Sequence, residues 1–292
     1  MRKLIGFWAI AVVALMGCVE FERQTIVYRH DVERDELRML MIYEGIHGKS
    51  TGDFSELRSV LLRPRTFFFT NWILEYDRDD WVRELEHIDR DRDAKPAAYK
   101  VAYRRLIKLM LHNVRVDNGA FYLNSEGKLS GYQQVTFSRV SELVSAVNQM
   151  VNVALIHGEL RSEDVLLASS RSADVIRSAA YTSHQWVRVD EGELRLRVPL
   201  SNHDYEAFQR EVQDDATWQR VIEAGLREVY IGGVAEFVFG EYGHSQTTIS
   251  MDVFDGRYIP NMLPFVEEDG LLEPSPDFET IIQRFVERQL AW

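Results

Sequence analysis

The chain has 292 residues, 46% of them hydrophobic and 27% charged, with a formal net charge of −12. That length and balance support a folded body with a substantial core and exclude a wholly disordered chain. The acidic excess opposes binding to nucleic acid or to anionic lipid surfaces, and the single cysteine excludes an intramolecular disulfide.

Arg2 and Lys3 precede an uncharged run from Leu4 to Val19. A positive stub, a short apolar run and a small residue at its end make a secretory signal peptide. The run is shorter than the roughly 20 residues that span a bilayer. Its end, Leu15-Met16-Gly17-Cys18, resembles the lipobox of bacterial lipoproteins. Leu15, Gly17 and Cys18 match that motif, and Met16 departs from its usual Ala, Ser or Thr. The resemblance implies cleavage between Gly17 and Cys18, a thioether lipid on Cys18, and acylation of its amine by a palmitate-like chain. Residues 1–17 would then be a signal peptide and 18–292 the mature body. That body would lie outside the cytoplasm, attached by lipid to a membrane of the bacterial envelope. Cys18 is the lone cysteine, which agrees with a dedicated role. A single acyl chain binds a membrane only marginally and two or more hold it, at about 0.8 kcal/mol per buried CH₂. The body resembles uncharacterised bacterial lipoproteins, a resemblance that implies no activity.

Residues 19–46 alternate as two strands around the charged His30–Glu36 segment. His30 and Asp31 are strand neighbours with opposite directions, so they read as a solvated turn and not as a dyad. Asp53 and Glu56 mark the start of a short helix that Pro64 ends. The aromatic run from Phe67 to Leu74 reads as a buried strand, and 77–88 as a helix. Asp89, Asp91 and Asp93 have calcium-loop spacing, but Ala94 and Lys100 stand where that loop needs Gly and Glu. Pro96 opens a helix with Tyr99, Tyr103, Leu106 and Ile107 on one side and Lys100, Arg104, Arg105 and Lys108 on the other. The basic side suits acidic patches of the same chain or a docking partner.

Asn118-Gly119 is the preferred pair for a type I′ turn, which predicts a meander of three strands ending near Phe137. Ser125 and Lys128 have the S-x-x-K spacing of penicillin-binding enzymes, without the partner motifs that chemistry needs. Ser138 is placed to cap a helix with a long apolar stripe, stopped by Gly158, with Asn148 and Asn152 at its polar edge as exposed residues or local hydrogen-bond partners, not ligands. A helical region over 162–180 precedes a hairpin with Leu194, Leu196 and Val198 inward and Arg195 and Arg197 outward. His203-Asp204 opens the next helix as a capping region, and Trp218, Val221 and Ile222 belong to another that ends at Gly225. Gly232-Gly233 allows a kink or close approach in a β-rich stretch. Gly243-His244-Ser245-Gln246-Thr247 misses the final Gly of a nucleophile elbow and reads as a hairpin turn. Residues 259–276 hold four prolines and read as a loop, after which Phe278, Ile281, Ile282 and Phe285 begin a helix that docks on the body.

Hairpin followed by helix recurs over 114–157, 186–224 and 229–290, which predicts an α+β fold of antiparallel sheet with helices packed on one side. The mature chain is expected to be one domain, with two lobes as an option. No motif for a metal, nucleotide or other cofactor is present, and no catalytic constellation. The expected role is therefore binding, assembly or structural support in the envelope, with a protein partner there. The alternative is an envelope hydrolase using paired carboxylates, whose mark would be two acids about 5 or 6.5–9.5 Å apart in a cleft.

Overall fold

The structure, a computed structural model, describes residues 19–48, 66–69, 72–75, 78–90, 95–160, 172–190, 192–244, 246–252 and 260–287. The Leu15–Cys18 motif, the helix expected after Asp53, Asp91 and Asp93 of the charge run, and residues 161–171 lie outside that set.

β1 (Val19–Glu20) leads into β2 (Arg23–Asp31), which pairs with β3 (Glu36–Glu44), and β4 (His47–Gly48) returns to pair with β1. The aromatic run expected as a single strand is a hairpin of β5 (Thr66–Phe69) and β6 (Trp72–Glu75), and α1 (Arg78–Arg90) and α2 (Ala97–Asn113) follow. β7 (Val114–Leu123) and β8 (Leu129–Ser138) follow, then α3 (Val140–Ile156) and α4 (Ser172–Tyr181). β9 (Val187–Asp190), β10 (Glu193–Pro199), α5 (Asn202–Val212) and α6 (Ala216–Glu223) come next. The chain continues through β11 (Arg227–Ile231), β12 (Val234–Phe239) and β13 (Gln246–Asp252) to α7 (Leu263–Glu268) and α8 (Phe278–Glu287).

The fold is α+β. One antiparallel sheet has the order β13-β2-β3-β8-β7 and a second has the order β11-β12-β10-β9. Alternation along β2 and β3 gives the first sheet two apolar faces. Ile26, Met41 and Tyr43 face a core that Leu143 of α3 and Val266 of α7 complete. Val27, Leu40 and Ile42 point the other way and are covered by Phe285 of α8. The last helix thus docks as its stripe predicts, on the face opposite the other helices. A second core joins α2, α3 and α4 to Trp186 and Val187. A third lies between the sheets, where Tyr28 and Ile249 of the first meet Val198, Phe237 and Phe239 of the second with α5 and α6. Tyr28 marks the joint. Its hydroxyl lies 2.9 Å from the Gly192 carbonyl and 2.8 Å from that of Phe239, which satisfies a buried polar group.

Four further expectations are corrected. Asn118-Gly119 is not a turn: β7 runs through it, with a register irregularity between Asn118 and Phe121, and the hairpin turns at Asn124–Lys128. A Cβ at Gly119 would overlap the Tyr132 ring, so close approach and not turn geometry requires this glycine. The primed turn is instead Gly232-Gly233, with φ of +60° and +82° between β11 and β12, where a kink was expected. The proline-rich 259–276 segment contains α7 and inserts Met262 and Val266 into the first core at 1% and 0% exposure. Burial of that apolar pair outweighs the loop signal of the prolines. Finally, Ser138 ends β8, and α3 is capped from elsewhere in the chain, as the next subsection describes.

Candidate functional site

Arg139, the residue before α3, is a non-glycine residue in the left-handed region and supplies no side-chain cap. The β2–β3 turn supplies the cap. Asp35 accepts the Val140 amide on its carbonyl at 3.0 Å, the Ser141 amide on Oδ1 at 2.8 Å and the Ser141 hydroxyl on Oδ2 at 2.6 Å. A carboxylate at a helix N-terminus also complements the dipole. The far end of the hairpin is thereby stapled to the start of the helix.

Along α3, residues four apart share a face. Asn148 and Asn152 are buried, so they are not exposed helix residues, and their hydrogen-bond partners are distant and not local. Asn148 donates Nδ2 to the Val187 carbonyl and accepts the Val187 amide, both at 2.8 Å, so one side-chain amide stands in for a neighbouring strand residue. Asn152 donates to the His184 carbonyl at 2.9 Å and accepts the Trp186 indole N–H at 2.7 Å. These long-range bonds suture the helix to β9 and to the segment that leads into it, at buried positions where an unpaired amide would be costly. The His184 ring packs edge-on against Trp186, and burial holds its pKa below the ordinary value.

Between α3 and β9 lies an open groove of about 1290 Å³. Ser141, Ser145, Gln149 and Ile156 line the helix side, Val187 to Val189 the strand side, and Val32 and Tyr181 two of its rims. Val32 and Tyr181 are 59% and 65% exposed, although both are large apolar groups. His30 and Asp35 sit at the turn end. His30 belongs to β2 and is 8% exposed, not part of a solvated turn, and its Nδ1 accepts the Gly192 amide at 3.4 Å. Burial lowers its pKa, against the pull of Asp35, Asp31 and Asp190. Arg105 reaches the groove from α2 and donates Nη1 to Gln149 Oε1 at 2.7 Å.

The remaining candidates do not converge on this groove. Asp31 is occupied with the Arg34 amide at 3.0 Å. Lys128 pairs with Glu22 at 2.7 Å and Glu126 at 2.8 Å; these hydrogen bonds raise its pKa to about 12 and keep it from acting as a base for Ser125. His203 stands 3.8 Å from Asp204, whose Oδ2 accepts the Ser201 hydroxyl at 2.6 Å in an N-terminal cap, as the sequence predicts. His244 lies 3.2 Å from Glu241 in the turn before β13, which is a strand and not the helix of a nucleophile elbow. Cys18 and Gly17 fall outside the described residues.

Two carboxylates of the second sheet are paired with arginines. Glu193 contacts Arg195, and Arg227 at 2.6 Å, while Glu236 bridges Arg195 and Arg197 at 2.8 Å each. Burial works against both carboxylates, yet these guanidinium bonds outweigh it and hold both pKa values low. Glu228 differs: burial raises its pKa despite bonds from Tyr205 and Gln209. It lies beside the stacked Tyr205 and Tyr230 rings, 4.2 Å apart, away from the groove. Among the described groove residues Asp35 is the one carboxylate, so no pair at glycosidase spacing is formed there. Sequence reasoning missed Asp35 and the long-range partners of the two asparagines. Only the i, i+4 spacing of two amides beside an apolar stripe pointed to the latter. Comparison of the chain with known proteins finds no matching family model, no matching curated protein and no matching solved structure.

Proposed function

We propose that this chain is a lipid-anchored binding protein of the bacterial cell envelope, held by a lipid on Cys18, with the α3–β9 groove as its binding surface. The observation that carries the reading is the groove itself: a large open cleft whose wall includes a strand edge and whose rims keep Val32 and Tyr181 in water. The start of the fold supports the anchor. Val19 already pairs with Gly48, so a lipid on the preceding residue leaves no linker and holds the β1–β4 end against the bilayer. The groove lies at the other end of the β2–β3 hairpin, beside Asp35. The eight steps along the nine residues of β2, at ~3.3 Å each, put it roughly 26 Å farther out. The protein would then present its cleft to the space outside the membrane while its acidic body stays off the headgroups.

The test is the variant Cys18→Ser in a native host. The wild type is expected in the membrane fraction with lipid mass on its N-terminal residue, and the variant in the soluble fraction without it. In-cell crosslinking of the wild type should yield one partner in near-equal amount. A wild type with no lipid mass, together with a variant still wholly in membranes, would sink the anchor. Absence of any specific partner would sink the binding role.

A further inference from the structure

We propose that the groove binds an extended, acid-bearing segment of a partner protein by adding it as a strand to the free edge of β9. This rests on the groove being the binding surface of the anchored protein. β9 is the terminal strand of its sheet. The Trp186 carbonyl accepts the Arg197 amide at 2.8 Å, in a register that pairs Arg188 with Arg195 and Asp190 with Glu193. Antiparallel alternation then turns the amides and carbonyls of Val187 and Val189 away from β10. Asn148 satisfies both outward groups of Val187. Those of Val189 bond to no described residue, and Val189 lies on the groove wall. An outward N–H and C=O beside a cleft are the template on which a further strand is added.

The charge of the occupant follows from Arg105. Its guanidinium is bonded to the neutral amide of Gln149, and no carboxylate among the described residues pairs with it. In a chain of net charge −12, an exposed cation with a neutral partner on the lining of a cleft is complementary to an incoming carboxylate. Tyr181 and Val32 supply exposed apolar contact at the rims, which a short main-chain edge needs for affinity. The separation of the groove from the β1–β4 end favours a protein segment over a lipid headgroup.

The test pans random seven-residue peptides displayed on phage against residues 18–292 carrying Cys18→Ser, and then uses the enriched peptides in synthetic form. Asp or Glu should recur at one position, and the bound peptide should slow hydrogen exchange of the Val189 amide. Arg105→Gln should weaken binding about tenfold, as for loss of one charge-assisted hydrogen bond. Val189→Pro should abolish it with cooperative unfolding intact, because the lost N–H is one that β10 does not use. Ser145→Trp, at an exposed position of α3, blocks the groove sterically and serves if Val189→Pro does not fold. No enrichment, undiminished binding by the variants, or unchanged Val189 exchange overturns strand addition. Self-association that Val189→Pro removes also overturns it, since a second copy would then hold the edge. A partner crosslinked in cells through another face, with no peptide enriched, defeats strand addition alone; absence of both defeats the binding role too.

Discussion

On one side of the five-stranded sheet, Val27, Leu40 and Ile42 lie beneath Phe285 and its neighbours on α8. On the solvent side of the four-stranded sheet, the corresponding layer is Glu193 and Glu236 threaded among Arg195, Arg197 and Arg227. The first surface is closed by a helix and dispersion contacts, the second by a ladder of charges whose aliphatic stems shield Val238, itself 2% exposed. Packing is indifferent to salt and nearly so to pH, whereas a charge ladder responds to both. The sheet that carries the groove edge is therefore the one whose stability the solvent can tune.

The sharpest way to break this contrast is Phe285→Ala. Truncation of a side chain 4% exposed should cost about 3–5 kcal/mol, equally at low and high salt, by urea unfolding. Glu193→Gln should cost less. Loss of one partner from a buried pair costs about 3–5 kcal/mol. Here the Arg195 and Arg227 side chains are 29% and 53% exposed, so solvent screening reduces this to about 2 kcal/mol, shrinking further in salt. Equal salt dependence in the two variants would erase the distinction.

Acid titration sharpens it. The Glu193 and Glu236 pKa values are lowered on folding, so their contribution is complete above the ordinary 4.5 and lost as pH falls through the folded values. His30 has the same sign in a higher window: its pKa is lowered from 6.5, so its share begins to fade as pH drops below that value. Glu228 runs the opposite way, because its pKa is raised and its share is lost as pH rises through the folded value. Stability curves of the wild type and Glu193→Gln should converge at low pH; parallel curves would contradict the ladder. The smallest effect is expected at Gly232→Ala. A Cβ there meets nothing within 4 Å, so only the left-handed backbone at φ +60° counts, about 1 kcal/mol in thermal unfolding.

Much of the fold was legible. The stripes of α2, α3 and α8 and the alternation of Leu194, Leu196 and Val198 are local periodicities, and the elements stand where those periods place them. The two glycine pairs mark where such reading fails. Asn118-Gly119 has the composition of a primed turn, but the Tyr132 ring from the adjacent strand occupies the space over Gly119. Gly232-Gly233 has a weaker signature and makes the turn. Turn chemistry permits a reversal; pairing across the sheet decides whether one happens.

The groove was not legible at all. Asp35 caps a helix more than a hundred residues later, and Asn148 completes the hydrogen bonding of a strand 39 positions away. No local pattern encodes such partners, because each side chain alone is equally compatible with a solvated position. By itself the amino-acid sequence determined most of the long periodic elements, the α+β class, the charge balance and the Leu15–Cys18 motif on which the anchor reading stands, since all of these follow from composition and short-range spacing. Tertiary structure alone decided that His30 is buried, that α8 seals the outer face of the first sheet, and that α3 lies against β9 with Val189 on the groove wall. Those outcomes depend on which distant surfaces meet. That is settled by the burial of apolar area and the satisfaction of buried polar groups over the whole chain at once.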